Sequence, residues 1–394
     1  MKILHYADAH LRDKDIEEAE KCLNFLIETA RSEKVDLIIN AGDTFDSQEI
    51  KLDSKAARLA VRVVSELADI APVAIIIGTS SHDGKSPEIL RFAKGMFPVY
   101  VASMPEQIFF FGHGFYKNMD GCTAKPDAII TLIPQPNKQF FQTNSGIADS
   151  DQEIGNAMSG LFSGFGVQAE GFDCPHILVG HFNVSGAMLS NGQVRTGMDI
   201  EVSVEQIMFA RPALICLGHI HKAQELGHRS HAFYSGSLYH QNWGEMEAKG
   251  FYVHEIDALG PTSRFIETPA KKMTRFSHDF TEGSGPVDFS IGDINGSFIR
   301  LDCKVWQDEA GAIDKDAITQ ELLASGALDV DIRIVRIPRQ NVRSEAVLKS
   351  ETLRDKIQKM AELKEEEVEW SILMKAELLE DMLSDDLIQA VGNG

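Results

Sequence analysis

No apolar run in these 394 residues approaches the roughly 20 residues needed to cross a bilayer, which argues against an integral membrane protein. The first residues, Met1-Lys2-Ile3-Leu4-His5-Tyr6-Ala7-Asp8, lack the long apolar core and small-residue cleavage site of a signal peptide. A cytoplasmic location is the expectation. The chain has five cysteines (Cys22, Cys122, Cys174, Cys216 and Cys303), an odd number, widely spaced and without a CxxC. That excludes a disulfide framework and a zinc ribbon, and it suits reduced thiols. No G-x-x-x-x-G-K-[ST] occurs, so ATP binding through a P-loop is not expected. No Ser-His-Asp or Cys-His arrangement is apparent.

Positive charge is also scarce. Lysine and arginine total 38 against 59 acidic residues, a net charge of −21, which argues against a protein that coats nucleic acid with basic surface. Nucleic acid as a substrate stays open. Divalent cations can reverse the local field, and a partner protein can supply basic surface. Ten acidic residues fall between Ala361 and Ala390, so the excess is concentrated near the C-terminus.

With 43% hydrophobic residues the chain is globular, and its length suggests two domains with a small third unit. The first half alternates strand and helix. Lys2–Tyr6, Val35–Asn40, Pro72–Gly78, Ala128–Pro134, His176–Gly180 and Ala213–Gly218 read as buried strands. Ile16–Ser32 and a stretch from Leu52 to Ile70 keep helical spacing, and Ser150–Phe162 is a further helix. The pattern implies a layered α/β domain. Thr281–Gly296 is rich in Gly, Ser, Pro and Asp and reads as a connection. A small β-α-β unit follows: Ser297–Val305, Asp314–Ser325 and Leu328–Ile337. From Ser344 the chain reads as helical. Leu348, Leu353, Ile357 and Met360 form one apolar stripe; Val368, Ile372, Ala376, Leu379, Leu383 and Leu387 form another.

The chemistry lies where five apolar strands end. They run into Asp8-Ala9-His10, Gly42-Asp43-Thr44-Phe45-Asp46, Gly78-Thr79-Ser80-Ser81-His82-Asp83, Gly180-His181-Phe182 and Gly218-His219-Ile220-His221. Ligands collect beyond the carboxyl ends of strands in open α/β sheets, so these groups can converge. In Asp8-x-His10 and His219-x-His221, alternate residues of an extended segment face one side. Carboxylates with neutral imidazoles suit Mn²⁺, Fe²⁺ or Zn²⁺. The donors exceed what one ion needs, and two ions bridged by one carboxylate would use them all. His5 and the remaining histidines read as core or non-catalytic. His240 is a candidate for substrate contact.

The ordered set resembles the calcineurin-like metallophosphoesterase superfamily. Tyr234-Ser235-Gly236-Ser237-Leu238, Asn242-Trp243-Gly244-Glu245 and Glu247-Ala248-Lys249-Gly250-Phe251 resemble the segment that follows the last metal ligands in SbcD-type DNA nucleases. Phe298–Ile337, with Arg339 and Val342-Arg343-Ser344, is similar to their capping domain. The resemblance implies a layered β-sandwich flanked by helices, with a small β-α-β cap and C-terminal helices. It divides the chain into a nuclease domain at 1–270, a capping domain at 271–343 and a helical segment at 344–394.

It also implies roles. Asp8, His10 and His221 would hold one ion, Asp43 would bridge both, and His181 and His219 would hold the other. His82 would protonate or stabilise the leaving oxygen, with Asp46 orienting it and Asp83 as the alternative for that task. One departure stands out. The usual Gly-Asn-His-Asp is lengthened by two residues, and Ser81 stands where the asparagine ligand is expected. A serine hydroxyl is a poorer ligand than an amide, so the centre is expected to be weakened there.

The implied function is a Mn²⁺-dependent DNA nuclease, 3′–5′ exonuclease and structure-specific endonuclease. Its implied partners are DNA and an SbcC-like coiled-coil ATPase, with a homodimer inside a heterotetramer and Lys85–Phe97 as the candidate dimer helix. The competing readings are a metallophosphoesterase acting on small phosphodiesters or phosphoproteins, and a scaffold whose centre has decayed.

Overall fold

A computed structural model describes residues 1–119, 124–136, 151–190, 193, 200–227, 230–282, 294–338, 347, 349–364 and 366–380. The strands in the first part are β1 (Lys2–Tyr6), β2 (Leu37–Asn40), β3 (Val73–Ile76), β4 (Val99–Ala102), β5 (Glu106–Phe111), β6 (Gly114–Tyr116) and β7 (Ala128–Ile133). Then come β8 (His176–His181), β9 (Asn183–Val184), β10 (Glu201–Val202), β11 (Leu214–Gly218), β12 (Gln224–Leu226) and β13 (Ala232–Tyr234). The last are β14 (Gly250–Asp257), β15 (Gly260–Glu267), β16 (Lys272–Asp279), β17 (Ser297–Trp306) and β18 (Asp329–Ile337). The main helices are α1 (Ile16–Glu33), α2 (Lys55–Ala68), α3 (Asp151–Glu170), α4 (Lys315–Ala324), α5 (Leu353–Lys364) and α6 (Trp370–Glu380).

Two mixed sheets face each other. One has the order β15-β14-β1-β2-β3-β4 and the other β12-β13-β11-β8-β7-β5-β6. Because side chains alternate across a strand, each strand feeds two cores. Ile3 of β1 and Ile39 of β2 meet Ile130, Val179 and Cys216 between the sheets. Leu4, Ile38 and Ile75 point the other way, onto Cys22 and Leu26 of α1 and Leu59 and Val63 of α2. On the far side, Leu178, Ile215 and Leu217 receive Met158 and Phe162 of α3. The expected sandwich flanked by helices is what the chain forms. Ser54 caps α2 by accepting a hydrogen bond from the Ala57 N–H.

Within the first sheet β1, β2, β3 and β4 run parallel; within the second, β7, β8, β11 and β13 do. Their carboxyl ends therefore gather along one edge of each sheet.

The described chain forms two compact units. One holds Met1–Phe276, Asp288–Leu301 and Asp316–Ile332; the other holds Ser277–Val287, Asp302–Lys315 and Arg333–Gly394. β16, β17 and β18 make a three-stranded sheet in that order. Ile299 of β17 and Leu322 of α4 pack together with Ala327. In the second unit, α5 and α6 are tied by Arg354 and Glu377 at 2.8 Å. Met360, Ile372 and Leu379 stay exposed, while Ala376 is buried.

Several expectations need correction. The candidate dimer helix is a short 3₁₀ helix, Ser86–Phe92, opened by Pro87. α3 runs past Phe162 to Glu170. Cys122, Arg339, Val342, Arg343, Ser344, Leu348, Leu383 and Leu387 lie outside the described residues. The other four cysteines are free. No described helix is long and apolar enough to cross a membrane.

Candidate metal centre

Each strand end contributes through a strained turn. Asp8, His10, Asp43 and His219 all have positive φ, at 52°, 40°, 51° and 96°. Left-handed backbone costs an L-residue roughly 1–2 kcal/mol, so four such residues in one place mark a site held by its surroundings. The holding bonds are visible. Asp8 N–H donates to Gly42 O at 3.0 Å, His10 N–H to Asp43 O at 3.0 Å, and Leu11 N–H to Thr44 O at 2.9 Å. Gly78 is required by space. A Cβ there would sit 2.2 Å from the Asp43 nitrogen. The β3 end thus lies directly against Asp43.

Six of the expected ligands come together in two groups. Asp8, His10 and His221 offer donor atoms within 4.8 Å of one another; so do Asp43, His181 and His219. The first group joins β1 to the loop after β11. Both Asp8 oxygens accept the His219 N–H, at 2.9 and 3.1 Å. His10 Nε2 lies 3.0 Å from His221 Nε2. In the second, Asp43 Oδ2 lies 3.2 Å from His181 Nε2. The groups adjoin, since His10 Nε2 is 3.7 Å from the same Asp43 oxygen. Asp8, His10, Asp43 and His181 are buried.

The donor chemistry fits cations. His221 gives its Nδ1–H to Glu245 Oε1 at 2.9 Å, so its Nε2 carries a lone pair toward His10. His181 gives its Nδ1–H to Ala41 O at 2.7 Å, which likewise frees Nε2. The buried His10 Nδ1 has no hydrogen-bond partner. Carboxylate or carbonyl partners on the outer ring nitrogen fix tautomer and orientation in metal-binding histidines.

Charges here are strongly perturbed. Burial raises the Asp8 carboxyl above its usual range, against the pull of His181 and His221. At Asp43 burial is outweighed by the charge and hydrogen bond of His181, and its carboxyl falls well below the usual range. Burial keeps His10 neutral. Burial also opposes protonation of His221, but the Glu245 hydrogen bond and the Asp8 charge raise it on balance.

Three expected residues fall elsewhere or act differently. Ser81 is exposed. Thr79 instead lies on Asp43 and His181, because Ser80 and Ser81 are looped outward. Asp46 reaches His82 through its main-chain carbonyl, which accepts the ring Nδ1–H at 3.1 Å. Its carboxylate faces Arg12 Nη1 at 3.4 Å and His10 Nδ1 at 3.7 Å. The reason is the backbone: Leu11 and Phe45 pair as a short bridge, and Asp46 N–H donates to Leu11 O, which turns the carbonyl toward His82. Asp83 does not orient His82. It is buried and accepts the N–H groups of Phe45 and Gly78 at 2.9 and 2.8 Å, tying two strand ends together. Burial pushes its carboxyl up to about 7.

Some supporting residues had no role assigned from sequence. Glu245 is wholly buried and paired at 2.7 Å with the buried Lys249 Nζ, which also donates to His221 O at 3.1 Å. A glutamate and a lysine four apart inside a Gly- and aromatic-rich stretch were the available signal. His5 Nε2 donates to Leu217 O at 3.2 Å and so links β1 to β11 beneath the site. His240 lines a cavity of about 160 Å³ with Arg12, Tyr239 and Trp243.

A family model described as calcineurin-like phosphoesterase matches residues 1–223. The chain is similar to the SbcD component of the SbcCD nuclease of Escherichia coli. The two are 25% identical over 386 residues, covering 89% of this chain and 88% of the relative. The SbcD component of the SbcCD nuclease of Staphylococcus saprophyticus is 24% identical over 283 residues, 68% of each chain. Among solved structures, a dimetal phosphatase from Danio rerio covers 68% of this chain and 99% of its own, with 9% identity and a TM-score of 0.37.

Proposed function

The chain belongs to the calcineurin-like phosphoesterase family, and from that membership we propose that it is a two-metal-dependent DNA nuclease. A metal-dependent hydrolase is what the family gives, and the family implies two divalent ions. The nuclease activity, Mn²⁺ as the metal, and 3′–5′ polarity with structure-specific endonuclease action are the finer reading. So are an SbcC-like ATPase partner and a homodimer within a heterotetramer. The names of the two relatives support them, and the exposed Met360, Ile372 and Leu379 suit docking of a partner helix. We assign 1–270 to the nuclease domain, 271–343 to the cap and 344–394 to the helical segment.

One observation carries the reading: donors from four strand ends, far apart in sequence, form two adjoining groups around Asp43. Asp8, His10 and His221 would hold one ion, His181 and His219 the other, and Asp43 both. When bound, such a pair supplies positive charge for the phosphoryl oxygens and makes water a nucleophile near neutral pH. Glu245 keeps His221 Nε2 unprotonated by taking its Nδ1–H. His82 is fixed through Nδ1, so Nε2 is the atom that gives a proton to the departing 3′ oxygen. Arg12 holds the Asp46 carboxylate and keeps the turn closed over His10.

The test is hydrolysis of end-labelled duplex DNA with Mn²⁺, run beside cyclic nucleotides and phosphopeptides. DNA cleavage that disappears in Asp43→Asn is expected. Turnover of only the small substrates would replace the nuclease reading with the phosphodiesterase one.

A further inference from the structure

The geometry points to Thr79 as an oxygen ligand of the ion held by Asp43, His181 and His219, in the place expected of Ser81. This rests on the two-metal reading.

The backbone delivers Thr79 to that place. Gly78 passes so close to Asp43 that a side chain is excluded, and the next residue must lie beside the carboxylate. Thr79 N–H donates to Asp43 Oδ1 at 2.5 Å. Its Oγ1 lies 2.9 Å from Asp43 Oδ2 and 3.2 Å from His181 Nε2. Asp43 Oδ2 and His181 Nε2 are themselves 3.2 Å apart. Three donor atoms thus form a nearly equilateral triangle. In an octahedral shell with bonds of roughly 2.1 Å, neighbouring donors lie about 3 Å apart. The triangle has the dimensions of one face of such a shell. Each corner can present a lone pair, since His181 Nδ1–H is committed to Ala41 O. Thr79 is half-buried, so its hydroxyl hydrogen can turn to solvent when an ion arrives.

The two added residues do not disturb this. His82 N–H and Asp83 N–H both donate to Thr79 O, at 3.0 and 2.8 Å, and close a turn that carries Ser80 and Ser81 outward. His82 is returned to the site by the same turn. Counting back from His82 selects Ser81, whereas counting forward from Gly78 selects Thr79. Only the second lies on the donors.

The experiment is calorimetric titration of Mn²⁺ into the metal-free full chain, comparing Thr79→Val, Thr79→Ser, Thr79→Asn and Ser81→Ala with the unaltered protein. Circular dichroism checks folding. Two ions are expected for the unaltered chain and Ser81→Ala. Thr79→Val should keep one and weaken the other by about 10- to 100-fold, the range seen when support of a metal site is lost. Thr79→Ser and Thr79→Asn should retain both, because each keeps an oxygen donor. Unchanged binding in a folded Thr79→Val, or loss of an ion in Ser81→Ala, overturns the assignment. Thr79→Asn as weak as Thr79→Val also overturns it and leaves Thr79 as a hydrogen-bond holder of Asp43. If the unaltered chain takes up fewer than two ions, the two-metal reading falls and this assignment with it.

Discussion

Lys249 is the residue whose environment is most demanding. It is 1% exposed, with Glu245 at 2.7 Å and Glu247 at 2.9 Å. Breaking such a buried pair costs about 3–5 kcal/mol, because the remaining charge is left without a partner. Lys249→Met should therefore lose stability in urea unfolding by that amount. Glu245→Gln should weaken Mn²⁺ binding by roughly 10- to 100-fold through His221. The Glu245 carboxyl is held down at about 2: burial opposes this, and the His221 hydrogen bond with the Lys249 charge outweighs it. A depressed carboxyl stabilises the fold above its unfolded value and loses that contribution as pH falls through its folded value. Acid unfolding between about pH 4.5 and 2 should accordingly be less steep in Glu245→Gln than in the unaltered chain. His82 is a separate case. His82→Gln should lower DNA cleavage by about 10²- to 10⁴-fold while leaving Mn²⁺ titration unchanged. Loss of both would make His82 a ligand instead of a proton donor.

Among the elements, the parallel strands were the legible part. β2, β3, β7, β8 and β11 are buried along their whole length, and sequences such as Ala-Ile-Ile-Thr-Leu-Ile declare that directly. The strand-end motifs were legible for the same reason, because each follows such a run. The hairpins were not. β14 alternates buried and exposed residues and carries His254 and Glu255, yet it pairs with β1 through Ile3 and His254. β13 has only three residues, too few for a period. The length of α3 was hidden by Gly160, Gly164 and Gly166 in its second half. Gly166 is there for contact: a Cβ would meet Phe209 O at 2.5 Å. The Thr79 turn was illegible because a two-residue insertion has no unique position in a sequence; only the donor distances place it. Gly78→Ala forces a Cβ into the Asp43 backbone. It should cost about 1–3 kcal/mol, the range of overpacking, and weaken Mn²⁺ binding, as thermal unfolding and titration together would register.

For the whole molecule, the net charge of −21 and the buried carboxylates at the strand ends point the same way. Cations that bind the folded chain and not the unfolded one stabilise it by mass action. Mn²⁺ at about 100 times its Kd should add about 2.7 kcal/mol per site, seen as a rise in Tm that a chelator reverses and Asp43→Asn abolishes. Asp43 is the group on which both donor sets depend, since it faces His181 at 3.2 Å and His10 at 3.7 Å. Anomalous scattering from crystals grown with Mn²⁺ tests this most directly. Two peaks roughly 3.5–4 Å apart are predicted, with Asp43 between them, Asp8, His10 and His221 around one, and His181 and His219 around the other. A single peak, or peaks away from Asp43, would contradict it.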